Sequence, residues 1–167
     1  SGDAIGTQNP LPVVADSDVS IAALFTRDQR DPDEDGLTNY QELIIHETDP
    51  NDADTDGDGF SDGLEISEAS NPNEAENFPT RLIAVSASEN GAVTGSGTFA
   101  LGGSTELQAA ADLGYIFVGW SGDAIGTQNP LPVVADSDVS IAALFNRDQQ
   151  DPDGDGLTNY QELIIHE

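Results

Sequence analysis

Val139, Ile141, Ala143 and Phe145 fall on every second position of a run whose other members, Leu144 apart, are small or polar. That period of two marks a strand with one face on a core and one face in water. Similar apolar runs, bounded by glycine, asparagine and aspartate, lie at Leu82 to Ser86, Thr105 to Ala111, Tyr115 to Trp120 and Leu131 to Ala135. Asn90-Gly91 and Gly102-Gly103 read as hairpin turns, since both pairs tolerate positive φ. Asp112 to Gly114 and Asp136 to Asp138 read as further turns. So small a unit buries little surface, and Phe117, Trp120 and Phe145 are expected to supply most of its core.

From about Thr26 to Thr80 the texture changes. Aspartates recur at alternate positions and are followed by short apolar stretches with helical spacing. Leu37 to Glu47 and Phe60 to Glu68 are each expected to form a short exiting helix, with Leu43, Ile44 and Leu64 on the inner side. The two textures then repeat. The run from Ser1 to Glu47 returns from Ser121 to Glu167, with Thr26, Arg30 and Glu34 replaced by Asn146, Gln150 and Gly154. The chain therefore reads as a window on a tandem array whose ends fall inside folding units. Its parts are the C-terminal piece of a β module (1–25), a spacer (26–80), a complete β module (81–145) and the start of the next spacer (146–167). Residues 1–25 would hold about two strands, too few to bury Ile21, Ala23 and Phe25. Those strands are expected to be completed by further copies of the chain, in a head-to-tail array or by strand complementation.

In the spacer, Asp31 to Glu42 places oxygen donors at positions 1, 3, 5, 9 and 12 of a twelve-residue loop, with glycine at 6. Those are the Ca²⁺ positions of an EF-hand loop. Asp31, Asp33 and Asp35 offer carboxylates, Leu37 its carbonyl, and Asn39 its amide, directly or through water. Glu42 closes the set. The pattern recurs as Asp54, Asp56, Asp58, Phe60 (carbonyl), Asp62 and Glu65. It returns again as Asp151, Asp153, Asp155, Leu157 (carbonyl), Asn159 and Glu162. Hard oxygen ligands in this number favour Ca²⁺ over Zn²⁺ and Mg²⁺. Asp49 to Asp52 offers ligands for a further or shared site. A strand, not a helix, precedes Asp31, so each loop keeps only the second half of an EF-hand.

Charge sharpens the picture. Thirty-two acidic residues stand against four basic ones, for a net charge of −28. Without a basic footprint, nucleic-acid binding and membrane insertion are not expected. A folded chain this acidic calls for bound cations, and 37% hydrophobic residues argue against disorder. With no cysteine, metal is the only visible staple. His46 and His166 sit at the ends of the predicted short helices, where they cap or solvate. No nucleophile elbow or phosphate loop appears, so no enzymatic activity is expected.

Two family resemblances follow. The run GYIFVGWSGDAIGTQNPLPVVADSDVSIAALF, with AVSASENGAVTGSGTFALGGSTELQA before it, resembles the divergent internalin-type B-repeat of bacterial surface proteins. The likeness implies a compact β-grasp-like module. The block DPDEDGLTNYQELIIHETDPNDADTDGDGFSDGLEI resembles the bacterial thrombospondin type 3 repeat, a calcium-dependent spacer between extracellular domains; this likeness implies calcium at the loops and no catalysis. The expected fold is mainly β, with small β-grasp-like antiparallel modules joined by half-EF-hand loops and short helices. The expected role is a calcium-stabilised stalk or filament at the cell surface. The alternative is a calcium-dependent adhesive module that binds surface glycan or protein with avidity from its repeats.

Overall fold

The computed structural model describes residues 9–13, 18 and 20–165. Seven strands build the β module: β1 (Thr80–Ala87), β2 (Gly91–Thr94), β3 (Gly97–Ala100), β4 (Ser104–Ala111), β5 (Tyr115–Gly122), β6 (Leu131–Val134) and β7 (Val139–Arg147). They form a four-stranded sheet in the order β3-β1-β7-β5 and a three-stranded sheet in the order β2-β4-β6. The chain changes sheet at every turn, so successive strands face each other across the core instead of pairing.

This alternation corrects the hairpin readings. Asn90 does take positive φ, and Gly102 does too, but β1 and β2 lie in different sheets, as do β3 and β4. These turns are corners. Two four-residue strands, β2 and β3, were not expected. They are GAVT and GTFA, too short and too rich in glycine and alanine for periodicity to mark. The antiparallel expectation holds for every ladder but one. β1 and β7 run parallel, with Ile83 opposite Val139 and Val85 opposite Ile141. A parallel pair needs a long connection, and here the rest of the module is that connection. No helix lies between residues 80 and 147.

Side chains from both sheets meet in one core of Ile83, Leu107, Ala109, Trp120, Ala135, Ile141, Ala143 and Phe145. Phe117, half-buried, packs edge-on against Trp120 and Phe145 at 5.1 and 5.9 Å. The Trp120 indole donates to the Gln128 carbonyl at 2.7 Å, so its one polar atom is satisfied. Gly91 is required by contact, because a Cβ there would lie 2.4 Å from the Phe145 ring.

Among the described residues of 1–25 no strand forms, and Ile21, Ala23 and Phe25 are exposed. Their copies Ile141, Ala143 and Phe145 are buried because β1 and β5 pair with β7 on both edges and the β2-β4-β6 sheet covers its inner face. The remainder of the expected strand pair lies outside the described residues.

In the spacer, α1 (Asn39–Gln41) runs on as a π-helical turn over Glu42–His46, and α2 spans Asp62–Glu68. A third helix, α3 (Asn159–Ile165), repeats the first. The helices start later than expected, at Asn39 and Asp62, because Thr38 and Ser61 hold extended backbone as N-caps and accept from Gln41 and Leu64. Leu43 and Ile44 point outward, contrary to expectation; Ile44 is 66% exposed. The inner side of that turn belongs to Glu42, which is fully buried. Leu64 is half-buried.

The β module is fastened to the spacer on each side of it. On the N-terminal side Arg81 of β1 pairs with Glu68 at 2.7 Å, while Phe60 stacks on Phe78, just ahead of β1, at 6.0 Å. On the C-terminal side Tyr115 of β5 meets Tyr160 of the next spacer edge-on at 5.3 Å, and the Arg147 guanidinium lies 4.6 Å over the Tyr160 ring.

Candidate metal centres

Each loop is built around its first aspartate. Asp54 accepts from the N–H of Gly57, Asp58 and Gly59, and so folds the chain back over its own carboxylate. Asp151 does the same with Gly154 and Gly156, and Asp31 with Gly36. The position-6 glycines, Gly36, Gly59 and Gly156, all have φ near 100°, a region closed to most side chains. Position 4 also lies at positive φ. Gly57 and Gly154 occupy it in loops two and three, but Glu34 takes it in loop one at φ 62°.

This folding gathers the carboxylates. Asp31, Asp33 and Asp35 each bring one oxygen within 4.8 Å of the others, as do Asp54, Asp56 and Asp58, and Asp151, Asp153 and Asp155. Glu42 closes in from its helical turn, and Glu65 from α2; both are fully buried.

The donor set passes a direct test for a cation. In loop one, Asp31 Oδ1, both oxygens of Asp33, Asn39 Oδ1 and both oxygens of Glu42 are enclosed without a hydrogen-bond partner. In loop two, Asp56 Oδ2, Asp58 Oδ2 and Glu65 Oε2 are in the same state. Buried polar atoms are nearly always paired, and buried charges need a counter-charge. Acceptors with no donor, converging in hard-oxygen loops, fit a divalent cation of the calcium type.

The electrostatics agree. Burial, then repulsion from Asp33, Asp35, Asp62 and Asp31, pushes the Glu42 carboxyl up to about 7. Burial also raises Asp33, Asp56 and Glu65. Such groups resist ionising where they stand unless positive charge joins them.

The expected ligands are not all placed alike. Asp62 is fully buried, but Thr55 donates to both its oxygens, from the backbone N–H at 2.9 Å and the hydroxyl at 2.7 Å. Its carboxylate is therefore engaged in bracing loop two. Asp49 and Asp52 accept from the backbone of Asn51 and Asp54 and serve as turn residues, not as a further cluster. Leu37, Phe60 and Leu157 sit at the carbonyl positions and, like Asp153, Asp155 and Glu162, follow the loop spacing; Asp155 accepts from the Leu157 N–H as Asp35 does from Leu37.

The structure adds two relationships that spacing does not reveal. Loops one and two interlock: the Gly63 N–H donates to Asp35 Oδ2 at 2.8 Å, and a Cβ on Gly63 would lie 2.2 Å from the Asp35 carbonyl oxygen. Loop three, with no such partner among the described residues, keeps its three aspartates exposed where those of loop one are half-buried. Asp28 and Asp148 also stand just ahead of loops one and three and accept from Asn39 and Asn159. The Arg30 side chain holds the Asp28 carboxyl well below the usual range, and the hydrogen bond from the Asn159 side chain lowers that of Asp148.

Residues 81–149 match the family model described as Divergent InlB B-repeat domain, and residues 31–53, 54–75 and 151–166 match the Bacterial TSP3 repeat. Both are repeat families of the kind found in bacterial surface proteins. The first match takes in all of β2 to β7 and most of β1, and the second takes in all three acidic loops. No curated protein and no solved structure matches the chain. No helix among the described residues is long and apolar enough to cross a membrane.

Proposed function

We propose that the chain is the repeat unit of an extracellular, calcium-stabilised stalk or filament of a bacterial surface protein, with a structural and not a catalytic role. The observation that carries this reading is the buried set of unpartnered oxygens around Glu42 and Glu65. In loop one, Asp31, Asp33, Asp35, the Leu37 carbonyl, Asn39 and Glu42 would hold the ion. In loop two the set is Asp54, Asp56, Asp58, the Phe60 carbonyl and Glu65, with Asp62 bracing the loop through Thr55. Loop three would use Asp151, Asp153, Asp155, the Leu157 carbonyl, Asn159 and Glu162. Bound calcium supplies positive charge and six to eight oxygen-coordination positions.

The chain's own residues do the rest. The four carboxylates gathered as ligands in loop one and the five of loop two, Asp62 included, repel one another when no cation is present, which favours an open spacer. Neutralised, they leave the hydrogen bonds of Asp54 and Asp31 and the Gly63 contact free to set one backbone path, so binding energy becomes folding energy. The Phe60–Phe78 stack holds the spacer's end against the start of β1, and the Arg81–Glu68 pair and the Tyr115–Tyr160 contact pass that stiffness to the β module from either side. Adhesion would call for exposed rings on the module, yet Tyr115 packs on Tyr160 and Trp120 and Phe145 are buried.

Calorimetric titration of the chelator-stripped chain tests the reading. Calcium uptake at three loops is expected, with affinities in the weak range of extracellular modules, about 10⁻⁴–10⁻³ M. Titration to several millimolar calcium with neither heat nor a change in circular dichroism would refute it.

A further inference from the structure

We propose that Asp28 and its repeat copy Asp148 are positioning residues for the loops that follow them: each carboxylate takes the side-chain N–H of the position-9 asparagine and so turns that amide's oxygen toward the metal centre. The inference rests on the calcium reading above. Neither aspartate belongs to the loop spacing, and both lie outside the segments that match the Bacterial TSP3 repeat.

An asparagine at position 9 has a defect that aspartate lacks. Its amide presents oxygen on one side and NH₂ on the other, and only the oxygen suits a cation. A carboxylate can only accept. With Asp28 Oδ2 at 3.0 Å from Asn39 Nδ2, the NH₂ must face Asp28, and Oδ1 is left enclosed and without a partner. Asp148 Oδ2 stands 2.8 Å from Asn159 Nδ2 in the same way.

The backbone supports the arrangement. Asn39 N–H donates to the Arg30 carbonyl at 2.8 Å and Tyr40 N–H to the Asp28 carbonyl at 3.3 Å. The copy repeats both bonds, Asn159 to Gln150 at 2.8 Å and Tyr160 to Asp148 at 3.3 Å. Residues 28–30 thus brace the start of the exiting helix where a complete EF-hand would have an entering helix. Arg30 bonds Asp28 in loop one, but the copy has Gln150 and keeps its carboxylate-to-amide bond, so the arginine is not what places the aspartate.

Loop two is an internal control. Its position 9 is Asp62, a carboxylate held at both oxygens by Thr55 and carrying no amide to orient, and three residues before the loop stands Asn51, whose side chain turns to Asp49 instead. The leading aspartate and the position-9 asparagine occur together in loops one and three and are both absent from loop two.

Calcium titration of five full-chain proteins separates this role from mere support: wild type, Asp28→Ala/Asp148→Ala, Asn39→Asp/Asn159→Asp, the alanine and aspartate changes together, and Asp28→Asn/Asp148→Asn. Outer-shell partners are commonly worth 10–100-fold in metal affinity, so the alanines are expected to weaken two of the three sites about 10-fold and leave loop two unchanged. In the Asn39→Asp/Asn159→Asp background the same alanines should cost nothing, since no amide is left to orient. Asp28→Asn/Asp148→Asn, which keeps an accepting oxygen, should recover most of the affinity. In the calcium-free state, the side-chain amide NMR signals of Asn39 and Asn159 should shift and exchange faster in the alanine variant, while Trp120 fluorescence reports an intact module. Equal losses in both backgrounds, unchanged affinities, or unmoved amide signals would overturn the positioning role alone. A wild-type chain that takes up no calcium would overturn the calcium reading and this inference with it.

Discussion

Glu34 and Glu42 show how single side chains in loop one trade local strain against metal binding. Glu34 holds positive φ at a position where the other two loops carry glycine. A left-handed backbone costs a side-chain-bearing residue about 1–2 kcal/mol, offset in part by the extra freedom glycine has when unfolded. Glu34→Gly should therefore stabilise the spacer by about 0.5–1 kcal/mol, read as a higher denaturation midpoint in calcium. Glu42 works in the opposite sense. Its folded-state carboxyl titrates near 7 instead of its ordinary 4.5, so the metal-free fold holds a proton that the unfolded chain releases. The stability from that proton is complete below about 4.5 and is lost as pH rises through 7. The metal-free spacer should accordingly melt lower at pH 8 than at pH 5, while calcium affinity climbs over the same window as the proton leaves. Glu42→Gln should raise the melting temperature in chelator, lower it in calcium, and reduce the pH dependence of both. Glu42 was legible from spacing alone, since position 12 of the loop demands a carboxylate. Leu43 and Ile44 were misread because apolar residues at helical spacing usually face inward, and here a charge takes that side. Asp28 was not legible, since nothing in the loop pattern reaches back to it.

At the scale of elements, the interlock of loops one and two hangs on Gly63. Alanine in place of glycine within a helix is ordinarily worth about 1 kcal/mol in stability. Here the added carbon would sit 2.2 Å from the Asp35 carbonyl, an overlap that only backbone movement relieves, at a typical cost of about 1–3 kcal/mol. Gly63→Ala should thus lower the spacer's melting temperature and weaken calcium at loop one, because Asp35 loses the N–H that holds it. A rise in melting temperature would show that the loops do not dock this way. The sequence marked five strands of the module by alternation and by their turn residues, but not how they pair. GAVT and GTFA are too short to carry a period, and the parallel pairing of β1 with β7 joins segments more than fifty residues apart. Sheet order of that kind is decided by the shared core of Ile83, Trp120, Ile141 and Phe145, which no local pattern displays.

Across the whole molecule, the repeat places the same loop in two settings. Loop one, covered by loop two, half-buries its aspartates and wholly encloses Glu42; loop three, without that cover among the described residues, leaves its aspartates exposed. The β modules draw their stability from an apolar core, whereas the spacers bury charge that needs a counter-ion. Calcium should therefore govern the spacers and leave the modules alone. Small-angle X-ray scattering of the chain in calcium and in chelator measures this most directly. With calcium, a single well-defined shape is expected, with the spacer docked on the β module. In chelator the radius of gyration should increase and the profile should become that of a folded module with a loose acidic tail, while Trp120 fluorescence stays constant. Superimposable profiles in the two conditions, from a chain whose loops do bind calcium, would contradict the role of calcium as the clamp that stiffens the spacer.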